Sequence, residues 1–168
     1  MDALETLLAI EAIKQLKARY FYTLDTKQWH AYGALFTADA VIDFSSQQAL
    51  MQQAGMLGPV AADEAWRCVG GAALAAWIEP LLSTVASVHH GHDAQITLTG
   101  ADSASGIWAM YDRLETAMDV FHGYGHYHET YRRIDGSWLF TSLTLTRLQG
   151  VWQRRDLSAG AAGALTFS

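Results

Sequence analysis

The stretch Ser87-Val88-His89-His90-Gly91-His92-Asp93 sets three imidazoles in what reads as a buried strand. Imidazole has an unperturbed pKa of about 6.5, so it can take up and return a proton near neutral pH. Side chains alternate across a strand, so His90 and His92 share a phase opposite to His89 unless Gly91 forms a bulge. In the same way His126 and His128 lie opposite in phase to Tyr127 and Glu129, while Trp108, Met110 and Asp112 fall together on one face. His90, His92, His126 and His128 are therefore read as non-catalytic. A metal shared between His126, His128 and one of the cluster histidines would be conceivable, but the His-Glu-x-x-His motif is missing and no metal is expected. No Gly-x-Gly-x-x-Gly or phosphate loop calls for a nucleotide, and no cofactor is expected. Cys68 has only Arg67 beside it to lower its pKa and is read as a packing residue.

The elements that position these residues follow from periodicity. Leu7, Ile10, Ile13, Leu16, Tyr20, Phe21 and Leu24 recur at spacings of three and four, which predicts an amphipathic helix from about Leu4 to Leu24. Asp25 and Thr26 are plausible caps for a short second helix carrying Trp29, Tyr32, Leu35 and Phe36. Ala40 to Phe44 is β-prone, and residues 45–70 read as a long loop or partly helical insertion. Ala72 to Glu79 is helix-prone, with Pro80 kinking or ending it. The period then changes to two, giving strands over Val88–Thr99, Ala104–Glu115, Phe121–Arg133 and Ser137–Leu148. Asp135-Gly136 supplies a hairpin turn, because a tight turn favours positive φ. Helices followed by an antiparallel meander predict an α+β domain.

Composition narrows the function. With 168 residues, 51% hydrophobic and 17% charged, the chain fits one domain large enough to enclose a pocket, with a mobile tail expected over 158–168. A net charge of -6 with 11 Lys and Arg offers no basic stripe for nucleic acid. A lone cysteine and the lack of a signal-peptide pattern make the cytoplasm the expected location, and no apolar run reaches the ~18 residues of a membrane span.

Several stretches together resemble a known family: Ile10-Glu11-Ala12-Ile13, Tyr20 to Asp25, Trp29, Phe36, Asp39-Ala40, Val88-His89-His90-Gly91, and Tyr131 to Trp138. They resemble the SnoaL-like branch of the NTF2-like superfamily, which includes scytalone dehydratase, bile acid dehydratase and hexachlorocyclohexane dehydrochlorinase. The resemblance covers nearly the whole chain, least between Ser45 and Gly70. It implies a cone of curved antiparallel sheet closed by N-terminal helices (a cystatin-like α+β barrel) around a deep apolar pocket. It also implies residue roles. Asp25 at the end of the first helix would orient His89, and Tyr20 would donate to a substrate oxygen. Arg147 would pair with Asp112 or with developing enolate charge. If Asp112 faces the cavity, strand parity puts Trp108 and Met110 beside it, and with Tyr127 and Phe44 they would form a wall for a flat hydrophobic substrate.

The activity so implied is a cofactor-independent lyase, with an isomerase running the same proton abstraction or a non-catalytic small-molecule-binding module as alternatives. A homo-oligomer is also expected, a trimer ahead of a dimer. Tyr131, Trp138, Phe140 and Trp152 are read as supplying more aromatic surface than one cone can bury.

Overall fold

The structure is a computed structural model that describes residues 2–58 and 66–155. It opens with a long helix, α1 (Ala3–Asp25), started by a capping box in which the Asp2 carboxylate accepts from the Glu5 N–H and Glu5 accepts from the Asp2 N–H. Ala9, Ile13, Leu16, Tyr20 and Leu24 form its buried stripe. Asp25 is the last residue of α1 and caps nothing. The chain turns at Lys27, whose φ of 61° lies in the left-handed region, and α2 (Trp29–Gly33) starts after Gln28 with no side-chain cap. α2 is also shorter than its apolar pattern suggests, because Phe36 already belongs to β1 (Phe36–Asp43). At Gly33 the backbone nears a fourth helix so closely that a Cβ would meet the Gly71 carbonyl oxygen at 2.8 Å.

Residues 45–70 contain α3 (Ser45–Gln53) and a short β2 (Arg67–Val69), and α4 (Gly71–Leu82) follows. Pro80 neither ends α4 nor is buried by it. Pro80 has no N–H to donate to the Ala76 carbonyl, and both residues are exposed, so water can serve that carbonyl.

The strands β3 (Ala86–Leu98), β4 (Ser103–Glu115), β5 (Asp119–Ile134) and β6 (Ser137–Arg154) form an antiparallel meander within a six-stranded sheet ordered β2-β1-β6-β5-β4-β3. The sheet is curved and unclosed, and it is not wholly antiparallel, because β1 lies parallel to β6. Parallel neighbours need a long crossover, and everything from α3 to β5 provides it. Asp135 and Gly136, with φ of 49° and 78°, make the β5–β6 turn.

β3 is an edge strand and only partly buried, in contrast to the buried strand its sequence suggests. Its register slips between His92 and Gln95, where Asp93 has a φ of 53°, and not at Gly91. Gly91 serves helix packing instead. A Cβ there would meet the Phe21 ring at 2.7 Å, so glycine lets α1 lie against the strand.

The core fills the space between α1 and one face of the sheet, with Phe36 and Phe140 stacked at 4.9 Å. Tyr131, Trp138 and Phe140 are 2, 4 and 0% exposed, and Trp152 packs on Phe121 at 4.6 Å. One chain therefore takes in Tyr131, Trp138 and Phe140, which supply no surplus surface to drive an oligomer, while Trp152 is half-buried. The expected tail, 158–168, lies outside the described residues.

Candidate active site

Where α1 ends, the edge strand β3 passes its last residue. The Asp25 carboxylate there accepts from the Ser87 hydroxyl at 2.9 Å and from the His89 backbone N–H at 2.8 Å, while His89 Nδ1 lies 2.6 Å from Oδ1. Lys27 Nζ donates to Ser87 Oγ at 2.7 Å, which extends the chain of hydrogen bonds to the left-handed turn. These contacts hold the imidazole in the tautomer that carries hydrogen on Nδ1. Nε2 has no hydrogen-bond partner among the described residues, and the His89 side chain is 6% exposed.

In the β3–β4 register His89 stands opposite Asp112. Asp112 Oδ2 accepts from Arg147 Nη2 at 2.6 Å in a pair whose side chains are 3 and 5% exposed. Arg147 Nε donates to Gln47 Oε1 at 2.6 Å, and Nη1 lies 3.3 Å from the Met110 sulfur. Asp112 Oδ1 is buried without a partner among the described residues, the kind of orphan that calls for an explanation. Gly123, opposite Asp112 on β5, makes room for the pair: a Cβ there would fall 2.1 Å from Asp112 Oδ1 and 2.2 Å from Arg147 Nη1.

A cavity of about 270 Å³ is bounded by both groups. Tyr20, Phe44, Tyr127, His89, Asp112 and Arg147 line it, as the sequence suggests. Trp108 and Met110 do not. They share the strand phase of Asp112, but Phe21 covers Gly91, the register partner of Met110, and closes that end off. The Trp108 indole instead donates to the Tyr131 hydroxyl at 2.9 Å. The remaining wall includes Tyr32, Gln47, Met51, Trp66, Trp77 and Leu82, none singled out from sequence. Trp66 stacks edge-on to Trp77, and Trp77 faces Phe44. Tyr32 and Trp77 sit on apolar helical stripes, which marks them as buried but not as facing a cavity. Gln47, Met51 and Trp66 lie in the stretch without a period, where no local signal marks them.

Three phenols share one side of this cavity. The Tyr20 ring lies 5.2 Å from that of Tyr32 and 5.9 Å from that of Tyr127. Burial pushes the pKa values of all three above the ordinary tyrosine range, so they are proton-bearing donors at neutral pH. Burial likewise raises the pKa of Cys68, which keeps it a thiol. Among the described residues no three His, Cys, Asp or Glu side chains gather as a metal site. A base held by a carboxylate, neutral donors and a buried ion pair around an apolar space can move a proton on a hydrophobic molecule.

Known proteins share this arrangement of elements. The family described as the SnoaL-like domain matches residues 5–144. The probable cyclase FGR4 of Gibberella zeae is 24% identical over 144 residues, covering 83% of this chain and 91% of that protein. Among solved structures, a proposed scytalone dehydratase of Novosphingobium aromaticivorans superposes with a TM-score of 0.72 at 18% identity, covering 89% of this chain and 91% of that one. The hexachlorocyclohexane dehydrochlorinase LinA-type3 of Novosphingobium barchaimii gives a TM-score of 0.68 at 17% identity, covering 98% and 100%. At such identities the structural likeness speaks for the fold.

Proposed function

Because the chain belongs to the SnoaL-like domain family, we propose that it is a cofactor-independent lyase of the dehydratase type, acting on a hydrophobic cyclic small molecule. The observation that carries this reading is His89, held through Nδ1 by Asp25 at 2.6 Å, with its other nitrogen unpartnered among the described residues at the wall of an apolar cavity. Nε2 takes a proton from a carbon next to a carbonyl or similar group. The C–H electron pair becomes the new double bond as the C–O bond to a hydroxyl breaks, and the hydroxide leaves as water once it regains a proton from the imidazolium. Asp25 stabilises the imidazolium, and the phenols of Tyr20 and its neighbours donate to the oxygen on which charge develops. Asp112 Oδ1, which lacks a donor among the described residues, suits a substrate hydroxyl, with Arg147 fixing the carboxylate from behind. Names among the relatives, a dehydratase, a dehydrochlorinase and a cyclase, agree with small-molecule chemistry of this kind.

The test is a mass-spectrometric screen of steroid, bile-acid-like and aromatic hydroxyketone compounds with the wild type, H89A and D25N. Turnover with loss of water is expected in the wild type, falling by about 10²- to 10⁴-fold in H89A with the fold intact. A product of unchanged mass would make the enzyme an isomerase, and binding without any product would make it a ligand-binding module. Near-full activity in H89A removes the proposal. A cytoplasmic location and a homo-oligomer, a trimer ahead of a dimer, belong to the same proposal. No described helix is long and apolar enough to cross a membrane.

A further inference from the structure

Behind the cavity lies a buried charge that the reaction above does not use. Lys17, one turn before Tyr20 on α1, is 1% exposed in its side chain, and its Nζ lies 2.5 Å from Glu129 Oε1, whose side chain is 0% exposed. Glu129 Oε2 also accepts from the Tyr131 hydroxyl, which in turn accepts from Trp108. This network fixes the ammonium against aromatic faces: it is 3.6 Å from the ring centre of Tyr127, 4.2 Å from that of Tyr20, 4.6 Å from that of Phe21 and 5.8 Å from that of Phe140. The two nearest rings are phenols that line the cavity.

A buried ion pair is costly to build and is weak evidence of stabilisation, so a position that retains one invites a search for another role. A cation over an aromatic face is attracted by the π electrons, and a nearby positive charge favours the anionic partner in any phenol hydrogen bond. We propose that Lys17 is a positioning residue: held by Glu129 beneath Tyr20 and Tyr127, its ammonium polarises both phenols so that the cavity prefers an anionic oxygen over the neutral form of the same group. The carboxylate of Glu129 acts in the opposite sense on Tyr20 and Tyr32, so the outcome depends on which member of the pair meets the rings, and that member is the ammonium. The groups packed around Lys17 are Glu129 and Tyr127 of β5, Tyr20 and Phe21 of α1, and Phe140 of β6, with the Tyr131 hydroxyl on the other oxygen of Glu129.

This role rests on the reading of the cavity as a substrate site, and its test separates the two. The probe is 2-naphthol, whose neutral and ionised forms absorb differently, titrated on the wild type, the charge-free pair variant K17M/E129Q, and H89A. Ionisation releases the naphthol proton to His89 or to solvent and leaves the naphtholate oxygen facing the phenols. The wild type is expected to raise the ionisation constant of the bound probe, and K17M/E129Q to lose on the order of tenfold of that rise. A merely structural role would weaken both forms of the probe alike and leave their ratio unchanged, which overturns the proposal. H89A reports on the base instead: an unchanged ratio there counts against His89 as proton acceptor while leaving the Lys17 result readable. Circular dichroism of the pair variant confirms that it is folded, and failure of the wild type to bind the probe overturns both readings.

Discussion

At the scale of single residues, Asp25 is held by more than the histidine it orients. Ser87 Oγ and the His89 N–H both donate to its carboxylate, and Lys27 donates to Ser87. Removing one such bond costs about 0.5–1.5 kcal/mol, so S87A is expected to lower kcat up to roughly tenfold with KM little changed, read by steady-state kinetics once a substrate is in hand. Lys17 gives a prediction that needs no substrate. Burial lowers its pKa to about 8 from the ordinary 10.5, against the opposing pull of Glu129. A base whose folded-state pKa is depressed adds stability above its unfolded pKa and loses that contribution as the pH falls through its folded one. Between pH 8 and 10.5 the wild type should therefore gain on K17M/E129Q by roughly 3 kcal/mol as the pH rises, measured by urea unfolding. K17M alone leaves a buried carboxylate unpaired and should cost about 3–5 kcal/mol, most of it recovered in the pair variant.

At the scale of elements, the site depends on how closely α1 approaches the sheet edge. Gly91 is the contact that allows it, since a Cβ would lie 2.7 Å from the Phe21 ring. Gly91→Ala should therefore destabilise by about 1–3 kcal/mol and displace the end of α1 from His89, seen as a lower Tm together with a fall in activity. Gly123→Ala acts on the other half of the site, because its methyl group would occupy the space of the Asp112–Arg147 pair. A similar loss of stability is expected there, and 2-naphthol binding would fall if that pair shapes the cavity floor. α3 and α4 also line the cavity: Gln47 holds Arg147, and Trp77 faces Phe44.

At the scale of the whole molecule, Tyr131, Trp138 and Phe140 are spent inside one chain, while Leu148 on β6 is 73% exposed. Leu4, Leu7 and Leu8 line the outward face of the first turns of α1, and Tyr124 is exposed on β5. The proposed homo-oligomer thus cannot rest on Tyr131, Trp138 or Phe140. Sedimentation at micromolar concentration is expected to give three times the mass of one chain; twice that mass removes the trimer, and the mass of one chain removes self-association.

Local pattern alone determined the long first helix, the four meander strands, the Asp135-Gly136 turn and the strand phases that set His89 opposite to His90 and His92 and group Asp112 with Trp108 and Met110. These features were legible because each depends on spacing within one segment. The resemblance to a family, and not periodicity, picked out Asp25, Tyr20 and Arg147, whose partners lie far away in the chain. Tertiary structure alone decided the rest. β1 lies parallel to β6 because of the crossover between them, and β3 is an edge strand because no described strand pairs beyond it. Trp108 and Met110 have the right parity for the cavity, yet Phe21 of α1 closes their end of the strand, which no strand period can report. Tyr32, Gln47 and Trp66 reach the cavity, and Lys17 reaches Glu129 112 positions away, through packing between segments distant in sequence, and the pattern of any one segment carries no information about its neighbours in space.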